Sequence, residues 1–374
     1  MAKKDFSFPQ RAGKFSKQAH VDLPEGSFEE ELGRDGFFGP ATHIYHSNPP
    51  TDWVEIEGNC RPRALDLNKL EQSPQRHRVL HNRQCEVFIE SLASADPSFK
   101  RNADGDEVHF IHKGKGVLET DLGTIKYEAG DYLYIPRTMT YRFHGVGEQY
   151  RLVIQNTNNV FSQPERGILG HHAMYDPAVL RMPILEDLKK VDQSPTEKGD
   201  RWKIAIKRGS QWGGLYYKRH PIDTIGYKGD HLPFALNIKD IRPVMSHRAH
   251  LAPSVHTTFV GNGFVVCSFV PRPLEEGKEC LKVPFYHRNV EYDEVLFYHA
   301  GDFFSRDNIE PGWMTIHPTG IHHGPHPKAL KNQHSKDRTD EYAVMIDTRE
   351  YLEVDDKSSG HTEFKDYWKS WMED

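Results

Sequence analysis

The feature that most constrains this chain of 374 residues is an internal repeat. The segment RNADGDEVHFIHKG, which begins at Arg101, matches RNVEYDEVLFYHAG, which begins at Arg288, at eight positions and one constant offset of 187 residues. A repeat of this length is too long for one unit of a solenoid and indicates that a whole β-barrel half was duplicated. We therefore predict two related β barrels in one chain.

The rest of the sequence also favours strands. Helical periodicity is sparse, and its best candidate runs from Leu185 to Val191, after a proline. Elsewhere short β-branched and aromatic runs, such as GTIKYEAGDYLYIP, alternate with clusters of Gly, Asn, Asp and Pro, which is typical of strands joined by turns. The sequence predicts a mainly β protein with duplicated barrels and few short helices.

Composition excludes several classes of partner. The net charge of −6 comes from interspersed signs, which argues against a nucleic-acid-binding surface. The longest apolar runs, such as FVVCSFV, are far too short to span a membrane, and no apolar stretch follows the basic N-terminus as a secretory signal would require. The four cysteines form no CxxC pair. We expect a cytoplasmic protein with free thiols and no membrane or nucleic-acid partner.

The two copies of the repeat differ at positions that can bind a metal. The second copy and the first pair as His287 with Lys100, Glu294 with Glu107, and, when the strand at Ile316 is matched to Ile135, His323 with Arg142. Lysine and arginine are not ordinary metal ligands because their side chains are cationic donors. We therefore predict a metal-free half in residues 1–165, and a linker segment followed by a metal-binding half in residues 166–374.

Two imidazoles and one carboxylate with open coordination positions suit non-haem Fe(II) and oxygen chemistry, and the same ligands accept Zn or Mn. Asp293 is an alternative carboxylate, but in a regular strand it lies on the face opposite Glu294. The shared distance to the following glycine favours Glu294. With 23 histidines in the chain, most are surface or structural residues, and His299, His322 and His326 are assigned to that group.

Two longer segments resemble a known family. PFYHRNVEYDEVLF and PGWMTIHPTGIHHGP resemble the ligand-bearing segments of the homogentisate 1,2-dioxygenases, which are two-barrel cupin enzymes. HLAPSVHTTFVGNGFVVCSFVPRP (250–273) and the N-terminal LPEGSFEEELGRDGFFGP also resemble that family. The resemblance implies that His287, Glu294 and His323 bind Fe(2+). It further implies that His250 handles the proton of a substrate hydroxyl, and that His317 and Arg288 bind substrate or stabilise negative charge.

The same resemblance implies that homogentisate and O2 react to maleylacetoacetate in tyrosine and phenylalanine degradation, within a homo-oligomer built as a trimer or hexamer. Some positions depart from the family pattern. Phe303 stands where a pocket tyrosine is expected, and His322 replaces a proline before the last ligand. Another hydroquinone-type substrate such as gentisate, a Zn or Mn cupin isomerase, and a non-catalytic binding protein are the alternatives.

Overall fold

The structure, a computed structural model, describes residues 8–372 apart from 38, 278, 284, 304, 305, 307 and 328–334. The described part is dominated by strands, as the sequence predicts. They are β1 (Phe28–Gly33), β2 (Ala41–His46), β3 (Arg63–Asp66), β4 (His77–His81), β5 (Cys85–Leu92), β6 (Phe99–Asn102), β7 (Gly105–Thr120), β8 (Gly123–Tyr127), β9 (Asp131–Ile135), β10 (Tyr141–Thr157), β11 (Trp202–Arg208), β12 (Gln211–Tyr217), β13 (Phe234–Asn237), β14 (Thr257–Val260), β15 (Phe264–Phe269), β16 (Tyr286–Asn289), β17 (Asp293–Asp302), β18 (Trp313–His317), β19 (Asp340–Thr348), β20 (Glu353–Val354) and β21 (Glu363–Phe364).

Helices are short, as the sequence also predicts. Among the helices whose bounds lie in the described residues, α1 (Asp356–Thr362) is an α-helix, and the others are of the tighter 3₁₀ type. These turns are Asp35–Phe37, Gly58–Cys60, Leu67–Lys69, Gly167–Leu169, Pro177–Val179, Leu185–Lys190, Ile238–Asp240, Pro253–His256 and Tyr367–Trp371. The segment predicted to be a helix over 185–191 is thus a 3₁₀ helix. Within the described residues, no helix combines the length and the apolar character that crossing a bilayer requires.

Two large sheets organise the strands. The first has the order β12-β11-β6-β10-β5-β4-β20, with β7, β8, β9 and β13 joined to it, and the second has the order β14-β15-β19-β17-β18-β3-β21. The first copy of the repeat forms β6 and β7, and the second copy forms β16 and β17. The repeated sequence therefore builds the same pair of strands in each half.

The halves also exchange strands. β3, from the N-terminal part of the chain, pairs with β18 in the second sheet, whereas β11 pairs with β6 and β13 with β9 in the first sheet. Strands from both sides of the predicted boundary at residue 165 thus contribute to both sheets. The third sheet, β16-β1-β2, attaches the N-terminal hairpin β1–β2 to the second copy of the repeat.

Alternation along β17 positions the site. Val295 and Phe297 point into the core cluster shared by both large sheets, while Leu296 and Tyr298 pack in a separate apolar cluster with Trp371. Each such buried side chain stabilises the fold by about 1.5–3 kcal/mol relative to exposure. Glu294 shares the face of Leu296 and Tyr298 because successive strand residues point to opposite sides. Packing of both faces therefore holds Glu294 in one orientation.

Candidate metal centre

The backbone brings two distant histidines together. His287 lies on β16, and His323 follows β18 at the end of a turn. The amide of His287 donates to the carbonyl of His323 at 2.9 Å, and the amide of His323 donates back to the carbonyl of His287 at 3.0 Å. The two rings lie 4.1 Å apart between centroids. This bridge fixes the pair independently of any side-chain contact.

The structure separates the roles of the two neighbouring carboxylates. Asp293 accepts hydrogen bonds from the amide and hydroxyl of Thr319 and from the amide of Leu352, at 2.7–2.8 Å. These bonds use the Asp293 carboxylate to hold backbone segments. Glu294 instead faces the histidine pair, with Oε2 3.7 Å from His287 Nε2 and 3.4 Å from His323 Nε2.

Hydrogen bonds on the far side of each ring determine which nitrogen faces Glu294. His287 Nδ1 lies 3.0 Å from the carbonyl oxygen of Phe285, and His323 Nδ1 lies 3.1 Å from that of Ile321. A carbonyl only accepts, so each Nδ1 carries the hydrogen and each Nε2 keeps a lone pair. This arrangement orients imidazole ligands in metal sites.

The charge of Glu294 is set by its neighbours. Burial alone would raise the pKa of this carboxyl, but His323, His287 and His317 outweigh burial and hold it well below its usual range. Burial and the adjacent His287 lower the pKa of His323. The site therefore contains an ionised carboxylate facing a neutral imidazole.

These three residues, called the triad below, fit a bound cation. Two lone-pair nitrogens and an anionic oxygen converge, and their ligand atoms all lie within 4.8 Å of one another. Without a metal, Glu294 Oε2 lies 3.4 Å from His323 Nε2, within reach of a shared proton, and a cation at the centre would take the place of that proton. Two imidazoles and a carboxylate are a donor set for Fe(II), Zn or Mn.

His317, predicted as a pocket residue, lies behind Glu294. Its Nδ1 is 2.9 Å from Glu294 Oε1, and its Nε2 is 3.4 Å from the hydroxyl of Tyr367. Burial lowers the pKa of His317 to about 3, so the ring is neutral. His317 therefore holds one oxygen of Glu294 while the other oxygen faces the triad histidines.

Replacing His317 with leucine should weaken metal binding at the triad by about 10–100-fold, the usual loss when a partner behind a ligand is removed. Competition with a chelator measures the change. Tyr367→Phe, which removes only the next hydrogen bond in the chain, should have a smaller effect. Equal affinity in His317→Leu and the unmodified protein would contradict a positioning role.

In the first half, the place equivalent to the triad contains the cationic side chains of Arg76 and Lys100. Lys100 bridges to Tyr141 in the backbone ladder, as His287 bridges to His323. The structural counterpart of His323 is therefore Tyr141, and the predicted match to Arg142 was wrong by one residue. The match of Ile316 to Ile135 is one residue out of register, because Ile135 lies opposite Glu107 whereas His317 lies opposite Glu294. Tyr141 donates to Glu107 at 2.7 Å, and the guanidinium of Arg76 forms an ion pair with the same carboxylate.

Arg76→Met should destabilise the fold by about 3–5 kcal/mol, because it leaves the buried carboxylates of Glu90 and Glu107 without their shared cation. Thermal and chemical unfolding provide the measurement. The matched control is Arg78→Met, two residues further along the chain, whose partly exposed ion pairs with Glu86 and Asp355 should contribute about 0–1 kcal/mol. Equal losses in the two variants would contradict a structural role for the Arg76 network.

A cleft opens beside the triad. Its lining includes His287 and Glu294, apolar side chains, and two arginines, Arg272 and Arg306. His250 also lines it and packs against Phe285, with ring centroids 4.6 Å apart. The structure thus places the predicted catalytic histidine in the same cleft as two residues of the triad.

His250 is buried between charged groups. Its Nδ1 lies 3.5 Å from Glu275 Oε1 and 3.5 Å from the guanidinium of Arg272. Burial, with the positive charge of Arg272, lowers the pKa of His250 to about 4 despite Glu275. His250 is therefore neutral at neutral pH and can accept a proton.

Arg288 lies on the other face of its sheet. Next to His287 on β16, it points away from the cleft and forms an ion pair with Glu30 at 3.1 Å. His322 approaches the same carboxylate at 3.2 Å. The structure thus does not bring Arg288 to the triad.

Phe303, the other position that departs from the family pattern, is buried against Tyr298, with ring centroids 4.8 Å apart.

The N-terminal hairpin contributes cleft residues that sequence reasoning missed. Glu31 and Phe37 line the cleft, and Phe37 packs against the ring of His287 at 5.7 Å. Glu31 lies beside His287 in the parallel pairing of β1 with β16. The run Glu29–Glu31 in the sequence suggests a solvated surface. The signal in the sequence that could have indicated these residues is the presence of three histidines, at positions 20, 43 and 46, close to the glutamates.

A duplicated β fold with two histidines and a carboxylate at one inner face defines the class of duplicated cupins, the bicupins. The model of the N-terminal region of homogentisate 1,2-dioxygenase matches residues 84–238, and that of the C-terminal region matches residues 245–373. The chain belongs to the homogentisate 1,2-dioxygenase family.

Individual relatives agree with this membership. A protein of Saccharolobus solfataricus named "Putative dioxygenase" is 30% identical over 93% of this chain and 94% of its own length. The homogentisate 1,2-dioxygenase of Bradyrhizobium diazoefficiens is 24% identical over 76% of this chain. The match spans 65% of that enzyme.

Among solved structures, a deletion mutant of Bacillus subtilis oxalate decarboxylase OxdC aligns with a TM-score of 0.38 and 10% identity, covering 84% of this chain and 83% of that one.

Proposed function

We propose that this protein is an Fe(2+)-dependent dioxygenase that opens the ring of a dihydroxylated aromatic acid, with homogentisate as the first candidate substrate. The observation that carries the proposal is the triad at the wall of a cleft in a member of this family. In this proposal His287, Glu294 and His323 hold the iron, and the equivalent place in the first copy of the repeat, at Lys100, Glu107 and Tyr141, holds none. Iron held this way would activate O2 for reaction with a phenol by mediating electron transfer between them.

The cleft has the polarity that such a substrate requires. Phe269, Val270 and Phe285 offer apolar surface for an aromatic ring and exclude water from it. Arg272 and Arg306 bring guanidinium groups to the same lining, and guanidinium is the side chain best suited to a carboxylate. In the proposal, a substrate carboxylate pairs with this basic side of the cleft.

His250 is the proposed base. As a neutral imidazole in the lining, it would accept the proton of a substrate hydroxyl and return it to the product. Glu275 would hold the ring of His250 and partly neutralise the imidazolium formed during the reaction. His317 acts one step removed, since it holds Glu294.

The test is oxygen uptake by anaerobically purified, iron-loaded protein with homogentisate, gentisate and 3-hydroxyanthranilate. One O2 consumed per ring opened, with both oxygen atoms in the product by ¹⁸O₂ labelling, is the expected result. Fully loaded protein that consumes no O2 with any of the three would contradict the proposal. Activity with Zn and without O2 would instead favour an isomerase.

A further inference from the structure

The strand β1 buries three consecutive glutamates. Glu29, Glu30 and Glu31 are 2%, 0% and 8% exposed. Such burial is unusual for glutamate, because a charged side chain needs a partner when it leaves water. Glu30 points to one face, where Arg288, His46 and His322 surround it. Glu29 and Glu31 point to the other face, and there their ion-pair partners within 4.0 Å are histidines.

Those partners are His20 and His43. His20 Nδ1 lies 2.8 Å from Glu29 Oε1, and its Nε2 lies 3.4 Å from Glu31 Oε2. His43 Nδ1 lies 3.6 Å from Glu29 Oε1. The two rings meet edge to face with centroids 5.0 Å apart. One ligand atom each from His20, Glu31 and His43 fall within 4.8 Å of one another, as in the triad.

This cluster contains unsatisfied polar atoms. Within the described part of the chain, Glu29 Oε2, His20 Nδ1 and His43 Nδ1 are buried and have no hydrogen-bond partner of good geometry. A buried polar atom without a partner costs about 1–3 kcal/mol. Several such atoms in one cluster indicate a bound species at their centre.

We propose that His20, Glu31 and His43, with Glu29 beside them, bind a divalent transition-metal ion at a second site. Imidazole nitrogen and carboxylate oxygen are the donors that Zn, Mn and Fe(II) accept. Burial would lower the pKa of His20, but Glu29 and Glu31 outweigh it and raise this pKa to about 9, so without metal an imidazolium offsets part of their negative charge. A divalent ion would take the place of that proton and balance the two carboxylates. This inference goes beyond ring cleavage and does not depend on it.

The second site adjoins the triad through one row of residues. Glu31 is opposite His43 in the antiparallel pairing of β1 with β2, and beside His287 in the parallel pairing of β1 with β16. Neighbouring strands are about 4.8 Å apart, so His43 and His287 are separated by roughly 10 Å. Because Glu31 lines the cleft, an ion at this site adds positive charge to the cleft wall.

The ion would also fasten the N-terminal segment. His20 lies in a loop whose backbone docks on residues 279–281: Leu281 donates to the carbonyl of His20, and Asp22 donates to that of Glu279. His43 and Glu31 lie on β2 and β1. One ion coordinated by all three therefore joins the docked loop to the hairpin that forms a wall of the cleft.

Zn²⁺ binding provides the test. Apoprotein saturated with Zn²⁺ and freed of excess metal should retain two ions per chain by elemental analysis. His43→Gln and His323→Gln should each retain one, and the double variant none. The matched control is His46→Gln, on the same strand but facing Glu30, which should retain two.

If a variant is less stable, its metal content alone is not decisive, and the change in Tm on Zn²⁺ addition provides a second measurement. Saturating Zn²⁺ should raise the Tm of His323→Gln through the second site, and this rise should vanish when His20→Asn or His43→Gln is added. One ion in the unmodified protein, with His43→Gln unchanged, would overturn the proposal and leave an imidazolium at His20 between the two glutamates. Equal loss in His46→Gln would overturn it as well. An inactive protein that retains two ions would contradict only the proposed ring cleavage.

Discussion

His323→Ala is expected to lower the affinity for Fe(II) by more than about 100-fold, because even the loss of a partner behind a ligand costs about 10–100-fold. Turnover should fall in parallel, since two ligands cannot hold the ion beside the cleft. Titration of anaerobic apoprotein with Fe(II), followed by oxygen uptake at saturating iron, measures both effects.

The neighbouring His322→Gln is the matched control for His323→Ala. His322 contacts Glu30 on the other side of the sheet, so its loss should leave iron binding at the triad within a few-fold. The bridge between residues 287 and 323 uses backbone atoms and is retained in His323→Ala. Unchanged iron affinity in His323→Ala, or equal losses in the two variants, would show that His323 is not a ligand.

The second large effect is expected at His250. His250→Gln should lower kcat by about 10²–10⁴-fold, the usual contribution of a general base, while the iron content stays unchanged. Stopped-flow oxygen consumption with metal analysis of the same sample measures the two quantities. This separation distinguishes a residue that moves a proton from one that holds the metal.

His256→Gln is the matched control within the same cleft. His256 Nε2 already accepts a hydrogen bond from the amide of Val244 at 3.0 Å, so this ring is used to hold the backbone. Its replacement should change kcat much less than that of His250. An unchanged kcat in His250→Gln would show that His250 is not the base and that another group in the cleft lining accepts the proton.

The paired repeat shows how far sequence comparison reaches. A constant offset between the two copies identified Glu107 and Glu294 as equivalent residues, and the strands β7 and β17 confirm it. The same comparison failed by one residue at His323, because it matched Ile316 to Ile135, whereas the residue opposite Glu294 is His317 and the residue opposite Glu107 is Ile135. Ladder pairing, which places His323 opposite His287 and Tyr141 opposite Lys100, is a property of the folded backbone.

The sequence alone was enough to infer the mainly β class, the duplication, the family resemblance and the three residues of the triad. These depend on local strand patterns and on comparison of one segment with another. Only the tertiary structure decided that His317 holds Glu294, that Arg288 faces away from the cleft, and that the N-terminal hairpin forms part of its wall. The physical reason is that these contacts join different segments, from 23 residues apart for His317 and Glu294 to 258 residues apart for Arg288 and Glu30. Their geometry depends on which strands pair and which face each residue presents.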